Sequence, residues 1–233
     1  MTDPGSPRQN VSFPSNGSEA HGYLALPGAG SGPGLVVVQE WWGLTSHIAE
    51  MADRFAAEGF TVLAPDLYGG ATTHDREEAA RLLRALPVER AARDLRGAVD
   101  FLLGHTSVTG DSVGVVGFCM GGGFALVLAA QEGNRVAAAV PFYGLPRIPG
   151  YDYRGLTAQV LGHYAEQDTG NPMAAVDEAT ARIEAASGRK PEIHFYPAGH
   201  AFMNDENLLG THDPEQAGIA WRRTLAFLRS TLG

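Results

Sequence analysis

Residues 113–130, VGVVGFCMGGGFALVLAA, constrain the fold more than any other stretch of the chain. The run opens with the apolar Val113–Val116, which suits a strand buried on both faces. It closes with Phe124–Ala130, an Ala/Leu-rich run suited to a helix packed against that sheet. Between them Gly117-Phe118-Cys119-Met120-Gly121 sets a cysteine where the glycine-flanked nucleophile of a strand–turn–helix elbow stands. The turn is sharp, and the flanking glycines let backbones pass closely while the central side chain stands exposed. The thiol would then lie at a helix N-terminus, where unpaired N–H groups favour an anion. A lone cysteine is more often a core filler than a nucleophile. The glycines and the preceding strand argue for the second role here.

Composition narrows the classes. A chain of 233 residues with 44% hydrophobic and 18% charged residues is long enough for one large core. A formal charge of −9 argues against a nucleic-acid or anionic-membrane partner. The single cysteine excludes an internal disulfide and a Cys-rich zinc cluster. No run approaches a membrane span, and the first ten residues lack the apolar core of a signal peptide. The expectation is a soluble cytoplasmic protein, monomer or homodimer, without metal or cofactor.

Along the chain, residues 1–10 read as a loose tail and 11–233 as one domain. Val11–Phe13 and Ala20–Leu26 read as short opening strands, antiparallel at a sheet edge. Leu35–Glu40 is expected as a buried strand ending on a carboxylate, followed by a helix capped at Thr45 or Ser46 and stopped at Gly59. Thr61–Ala64 is a strand, Glu77–Leu86 a helix, and Pro87 opens another with Val88, Ala92, Leu95, Val99 and Leu102 on one face. After the elbow, Val136–Val140, Gln159–Tyr164 and Glu192–Tyr196 read as strands, and Met173–Ala186 as a helix. Asp213-Pro214 starts a last helix, with Ile219, Leu225, Leu228 and Leu232 available to the core. Strands alternating with helices, without a linker, indicate one doubly wound α/β domain: a mostly parallel sheet with an antiparallel opening edge.

A thiol nucleophile needs a base to take its proton and a third group to orient the base. In open α/β sheets such groups gather at strand carboxyl ends. Of eight histidines, His200 follows the last strand in a turn, whereas His163 and His194 lie inside strands. Asp168 stands just past the strand that ends near Tyr164. Either could be an ordinary turn residue. The order Cys119, Asp168, His200 is nevertheless the nucleophile–acid–histidine order of α/β-hydrolases. Backbone N–H groups of Trp41 and Met120 are expected to form an oxyanion hole. Trp41, Trp42, Tyr68, Tyr143 and Phe202 could line an apolar pocket, or serve as core aromatics. Glu40 is the odd element, a carboxylate outside the usual triad, with a helix-cap or salt-bridge role as its plain alternative.

Gln39-Glu-Trp-Trp-Gly43, Pro65-Asp-Leu-Tyr68, Gly117-Phe-Cys-Met-Gly-Gly122, the Asp168 turn and Gly199-His-Ala-Phe202 together resemble the dienelactone hydrolase (carboxymethylenebutenolidase) family, from about residue 10 onward. The resemblance implies a Cys119–His200–Asp168 α/β-hydrolase acting on a small ester or lactone, with Glu40 assisting the thiol. In that family two arginines hold the substrate carboxylate. Arg76 matches one, while Asn204, four residues after His200, stands where the other belongs. Losing one bidentate clamp weakens the case for an acidic lactone. Three readings stay open: a general ester or lactone hydrolase, one restricted to acidic lactones, and a non-catalytic or redox-responsive module in which Cys119 is a sensor thiol.

Overall fold

The computed structural model describes residues 9–15, 17–148 and 150–233, so most of the tail expected over residues 1–10 lies outside them. The chain packs as two compact units, one ending at Val113 and the other spanning Gly114–Gly233. Hydrogen bonding orders the strands β1-β2-β4-β3-β5-β6-β7-β8, and β5 contributes to both units.

In the first unit β1 (Val11–Ser15) and β2 (Ser18–Ala25) form an antiparallel pair, and β2 runs antiparallel to β4 (Thr61–Pro65). β3 (Gly32–Val38) lies parallel to β4, and the amino half of β5 (Val108–Phe118) completes the unit. β3 stops two residues short of the expected strand end, because Gln39 turns its amide to the neighbouring loop and accepts the Leu67 N–H at 3.1 Å. α1 (Ser46–Ala57) buries Ile48, Met51, Ala52 and Phe55, the helical stripe read from the sequence. Its N-cap, Thr45, makes no side-chain cap bond. α2 (Arg76–Ala85) is capped by Asp75, and α3 (Val88–Gly104) packs on β1, β3 and β4. Buried Asp94 of α3 is satisfied by Ser15 Oγ, which donates at 2.6 Å, and by Arg90 at 3.4 Å.

In the second unit the carboxyl half of β5 is followed by α4 (Met120–Glu132), β6 (Val136–Phe142), β7 (Gln159–Ala165), α5 (Met173–Ser187), β8 (Glu192–Tyr196) and α6 (Pro214–Leu232). β7 lies parallel to both β6 and β8. α4 is apolar on all sides, and Ala125–Ala130 are all buried. Pro214 occupies the first turn of α6, whose N-cap Asp213 accepts the Glu215 and Gln216 N–H groups. The α/β class, mostly parallel sheet and antiparallel opening edge match the sequence reading. Among the described residues no helix is long and apolar enough to cross a membrane.

On α6 Leu225 and Leu228 are buried as expected, whereas Ile219 and Leu232 are half-exposed. Thr224 takes a core position instead, because its hydroxyl meets His163 Nε2 at 3.0 Å. His163 Nδ1 lies 2.7 Å from the Tyr196 hydroxyl, which also accepts from Arg223 at 3.1 Å. Tyr196 therefore donates to Nδ1, and the Nε2–H of a neutral His163 donates to Thr224. Burial, reinforced by the charges of His194 and Arg223, holds the His163 pKa well below the ordinary histidine value.

A neutral buried imidazole makes the fold acid-sensitive. Unfolded histidine binds a proton below about pH 6.5, so the unfolded state gains protons there and stability falls by up to about 1.4 kcal/mol per pH unit. His163→Gln should be less stable than wild type at pH 7.5 by about 1–3 kcal/mol, since a buried partner loses its hydrogen bond. The gap should narrow at pH 5. Urea unfolding at both pH values checks this, and an unchanged gap contradicts it.

Candidate active site

Cys119 sits between β5 and α4 at φ 54°, ψ −119°, a backbone region that a side-chain-bearing residue adopts only under constraint. The constraint is close packing. A Cβ on Gly117 would lie 1.9 Å from the Gly121 carbonyl oxygen, and one on Gly144 would lie 1.9 Å from that of Cys119. The Cys119 N–H donates to the Phe142 carbonyl at 3.1 Å, which ties the elbow to the end of β6. Among the described residues only four non-glycines have positive φ, and three of them, Cys119, Tyr143 and Ala201, lie beside this site. Backbone strain is thus concentrated where the chemistry-bearing side chains stand.

β7 and β8 deliver the other two groups. Beyond β7, the Glu166 N–H donates to the Tyr196 carbonyl and that of Gln167 to Ala198, so the Asp168 turn is tied to the end of β8. The loop after β8 is closed by the Thr211 hydroxyl, which donates to the His200 carbonyl, and by the Asp213 N–H, which donates to that of Phe202. His200 Nδ1 lies 2.7 Å from Asp168 Oδ2, and its Nε2 lies 3.3 Å from Cys119 Sγ. Asp168 accepts from Nδ1–H, which leaves Nε2 to take a proton from the thiol or return one to it. The structure therefore brings together the three residues expected to form the centre.

Burial works against charge on both His200 and Asp168, and hydrogen bonding outweighs it. Bonds to Asp168 and Cys119, with the charges of those groups, raise the His200 pKa to about 10. Bonds from His200, Asn171 and the Gly170 N–H hold the Asp168 carboxyl below its usual value. Sequence reasoning passed over Asn171. Its side-chain amide donates to Asp168 Oδ2 at 3.1 Å and to the Tyr143 carbonyl at 3.0 Å, while its N–H reaches Oδ1 at 3.2 Å. An Asn before Pro172 reads as turn chemistry, and only the tertiary approach of Tyr143 reveals the second bond.

Tyr143 and Phe202 are wholly buried, with the Tyr143 ring edge-on to His200 at 5.1 Å and Phe202 5.5 Å from Tyr143. They form a wall that braces the imidazole. Met120 opens α4, and buried Asn204 accepts the Glu206 N–H at 2.9 Å in the loop after His200. The remaining expected residues belong to the first unit. Glu40 is buried just past β3, Trp41 packs on Trp42 with ring centroids 4.8 Å apart, Tyr68 follows the Asp66 turn, and Arg76 is exposed at the start of α2. The Asp66 carboxylate shapes that turn by accepting the Tyr68 and Gly70 N–H groups.

The model of the Dienelactone hydrolase family matches residues 20–232 of this chain. The chain is 34% identical over 231 residues to the protein usf of Aquifex pyrophilus, covering 96% of this chain and 99% of that one. A solved structure titled m3DLH superposes with a TM-score of 0.83 at 26% identity, over 97% of this chain and 98% of that one. The dienelactone hydrolase of Anabaena variabilis shares the fold, with a TM-score of 0.70 at 20% identity over 98% of this chain and 100% of that one.

Part of the high proton affinity of His200 comes from Cys119, so removing the sulfur lowers it. In an NMR titration of the imidazole, His200 of wild type should hold its proton to distinctly higher pH than His200 of Cys119→Ala. Identical titrations contradict the coupling.

Proposed function

The chain belongs to the dienelactone hydrolase family, and from that membership and the arrangement around Cys119 we propose that it hydrolyses small carboxylic esters or lactones through a thioester on Cys119. The observation that carries this reading is the continuous line of contacts from Sγ through the His200 ring to Asp168.

The steps follow from which atom holds the proton. His200 Nε2 takes the Cys119 proton as Sγ attacks the carbonyl carbon and forms the C–S bond. The carbonyl π electrons move to oxygen, and N–H groups fixed by the fold stabilise that charge without reorganising. We assign this to the N–H of Met120, at the positive end of α4, and to that of Trp41. Collapse of the intermediate breaks the ester C–O bond, and His200 gives its proton to the leaving oxygen. Formation of the C–S bond has by then removed the sulfur charge that helps to raise the His200 pKa, and this is what lets the ring give that proton up. Water attacks the thioester while His200 takes its proton, the C–S bond breaks, and Cys119 recovers the proton. Glu40, a buried carboxylate just past β3, is assigned the role of relaying that same proton from the thiol to His200 during acylation. Asp168 orients the ring throughout, and Tyr143 and Phe202 support it.

Substrate preference follows from Arg76 and Asn204. A clamp made of two arginines would favour an anionic substrate, but Asn204 is a buried amide engaged in its own loop. Tyr68 and Arg76 are assigned to the substrate side, with neutral esters and lactones preferred over acidic ones.

Initial rates on p-nitrophenyl acetate, a dienelactone and its methyl ester test this. Wild type should hydrolyse the neutral compounds, Cys119→Ala should lose about 10³-fold or more, and Glu40→Gln about 10²-fold. Asn204→Arg should shift preference toward the acid. Wild type inert on all three, with a thiol that peroxide oxidises reversibly, would instead indicate the sensor module.

A further inference from the structure

A cleft of about 720 Å³ opens in the second unit at the amino ends of β7 and β8, the end away from Asp168 and His200. Ligand pockets span about 300–1,000 Å³, so the cleft has room for a small organic molecule. Its floor is partly hydrocarbon: Val160, Leu161 and Ile183 are buried and Phe227 is half-buried. Its rim carries three cations, Arg189, Lys190 and Arg223. Lys190 is the only lysine of the chain.

The partners of these cations leave their charge uncompensated. Arg81, Arg135 and Arg154 each sit against a carboxylate of a neighbouring turn. Among the described residues, none of the three rim cations does so. Arg189 donates to the Thr157 carbonyl, and Arg223 donates to the Tyr196 hydroxyl with its guanidinium 5.5 Å from that ring's centroid. The one carboxylate on the rim, Glu192, is already paired with His194 at 2.7 Å. Three uncompensated cations around an apolar floor, in a chain of formal charge −9, favour one kind of occupant. The floor calls for a hydrocarbon body and the guanidinium forks for paired oxygens. A carboxylate supplies both, and a single charge costs less to desolvate than a doubly charged head.

We propose that this cleft is a binding site for an organic carboxylate with a compact hydrocarbon body. Its head lies among Arg189, Lys190 and Arg223, and its body lies on Phe227 and the aliphatic floor. The site is separate from the thiol and does not depend on the reaction assigned to it.

The single lysine makes a direct test possible. Reductive ¹³C-methylation keeps the charge of Lys190 and gives its amine an NMR signal in the full-length protein. With Cys119 blocked by iodoacetamide, 4-phenylbutyrate should shift that signal saturably, with a Kd on the order of 1 mM for a ligand of this size. Arg189→Glu, an exposed substitution, should weaken binding about fivefold or more, and so should replacing the probe by 4-phenylbutyramide or inorganic phosphate. No saturable shift would overturn the proposal. Equal binding of the amide would remove the role of charge, and equal binding of phosphate that of the hydrocarbon floor. Either result also overturns it.

Discussion

The close approach of the Cys119 carbonyl to Gly144 is the constraint on which the second unit's site depends. Without side chains at Gly117 and Gly144, the strand-to-helix turn and the end of β6 share space that a Cβ would fill. That contact fixes Cys119 at positive φ and lifts its side chain out of the turn. The strain is held by packing around it: α4 is buried over most of its length, and the Cys119 N–H is bonded to the Phe142 carbonyl. Position of the sulfur is therefore a consequence of core packing rather than of loop conformation.

The same economy appears in the two histidines of the β-strand network. His163 and His200 are both largely withdrawn from water, yet their pKa values move in opposite directions. His163 meets neutral hydroxyls, so burial decides and it stays uncharged. His200 meets a carboxylate and a thiol, and their hydrogen bonds and charges outweigh burial. One imidazole is a structural link between β7, β8 and α6. The other lies between a carboxylate and a thiol. Tyr196 touches both regions, since it bonds to His163 and its ring lies 5.0 Å from Phe202, which packs on Tyr143.

Much of this was legible in the sequence because it rests on local rules. The glycine-flanked Cys119 after a valine run announces the elbow, and alternation of strands with amphipathic helices announces the sheet. Asp168 and His200 could be found because strand ends are where such groups collect. What escaped depends on tertiary proximity. Asn171 looks like a turn residue until Tyr143 arrives beside it, and Thr224 looks polar until His163 gives its hydroxyl a partner. The two-residue error at the end of β3 has the same origin, because Gln39 leaves the strand for a hydrogen bond to Leu67, distant in sequence. The division of the chain at Val113 falls inside one continuous strand, where composition gives no mark.

The central claim is that Cys119 forms the covalent intermediate. The most direct measurement is peptide mapping by mass spectrometry after rapid acid quench of the enzyme with p-nitrophenyl acetate. The account predicts an acetyl group on the peptide containing Cys119, released by hydroxylamine. Full turnover with no acyl group on Cys119 would contradict it.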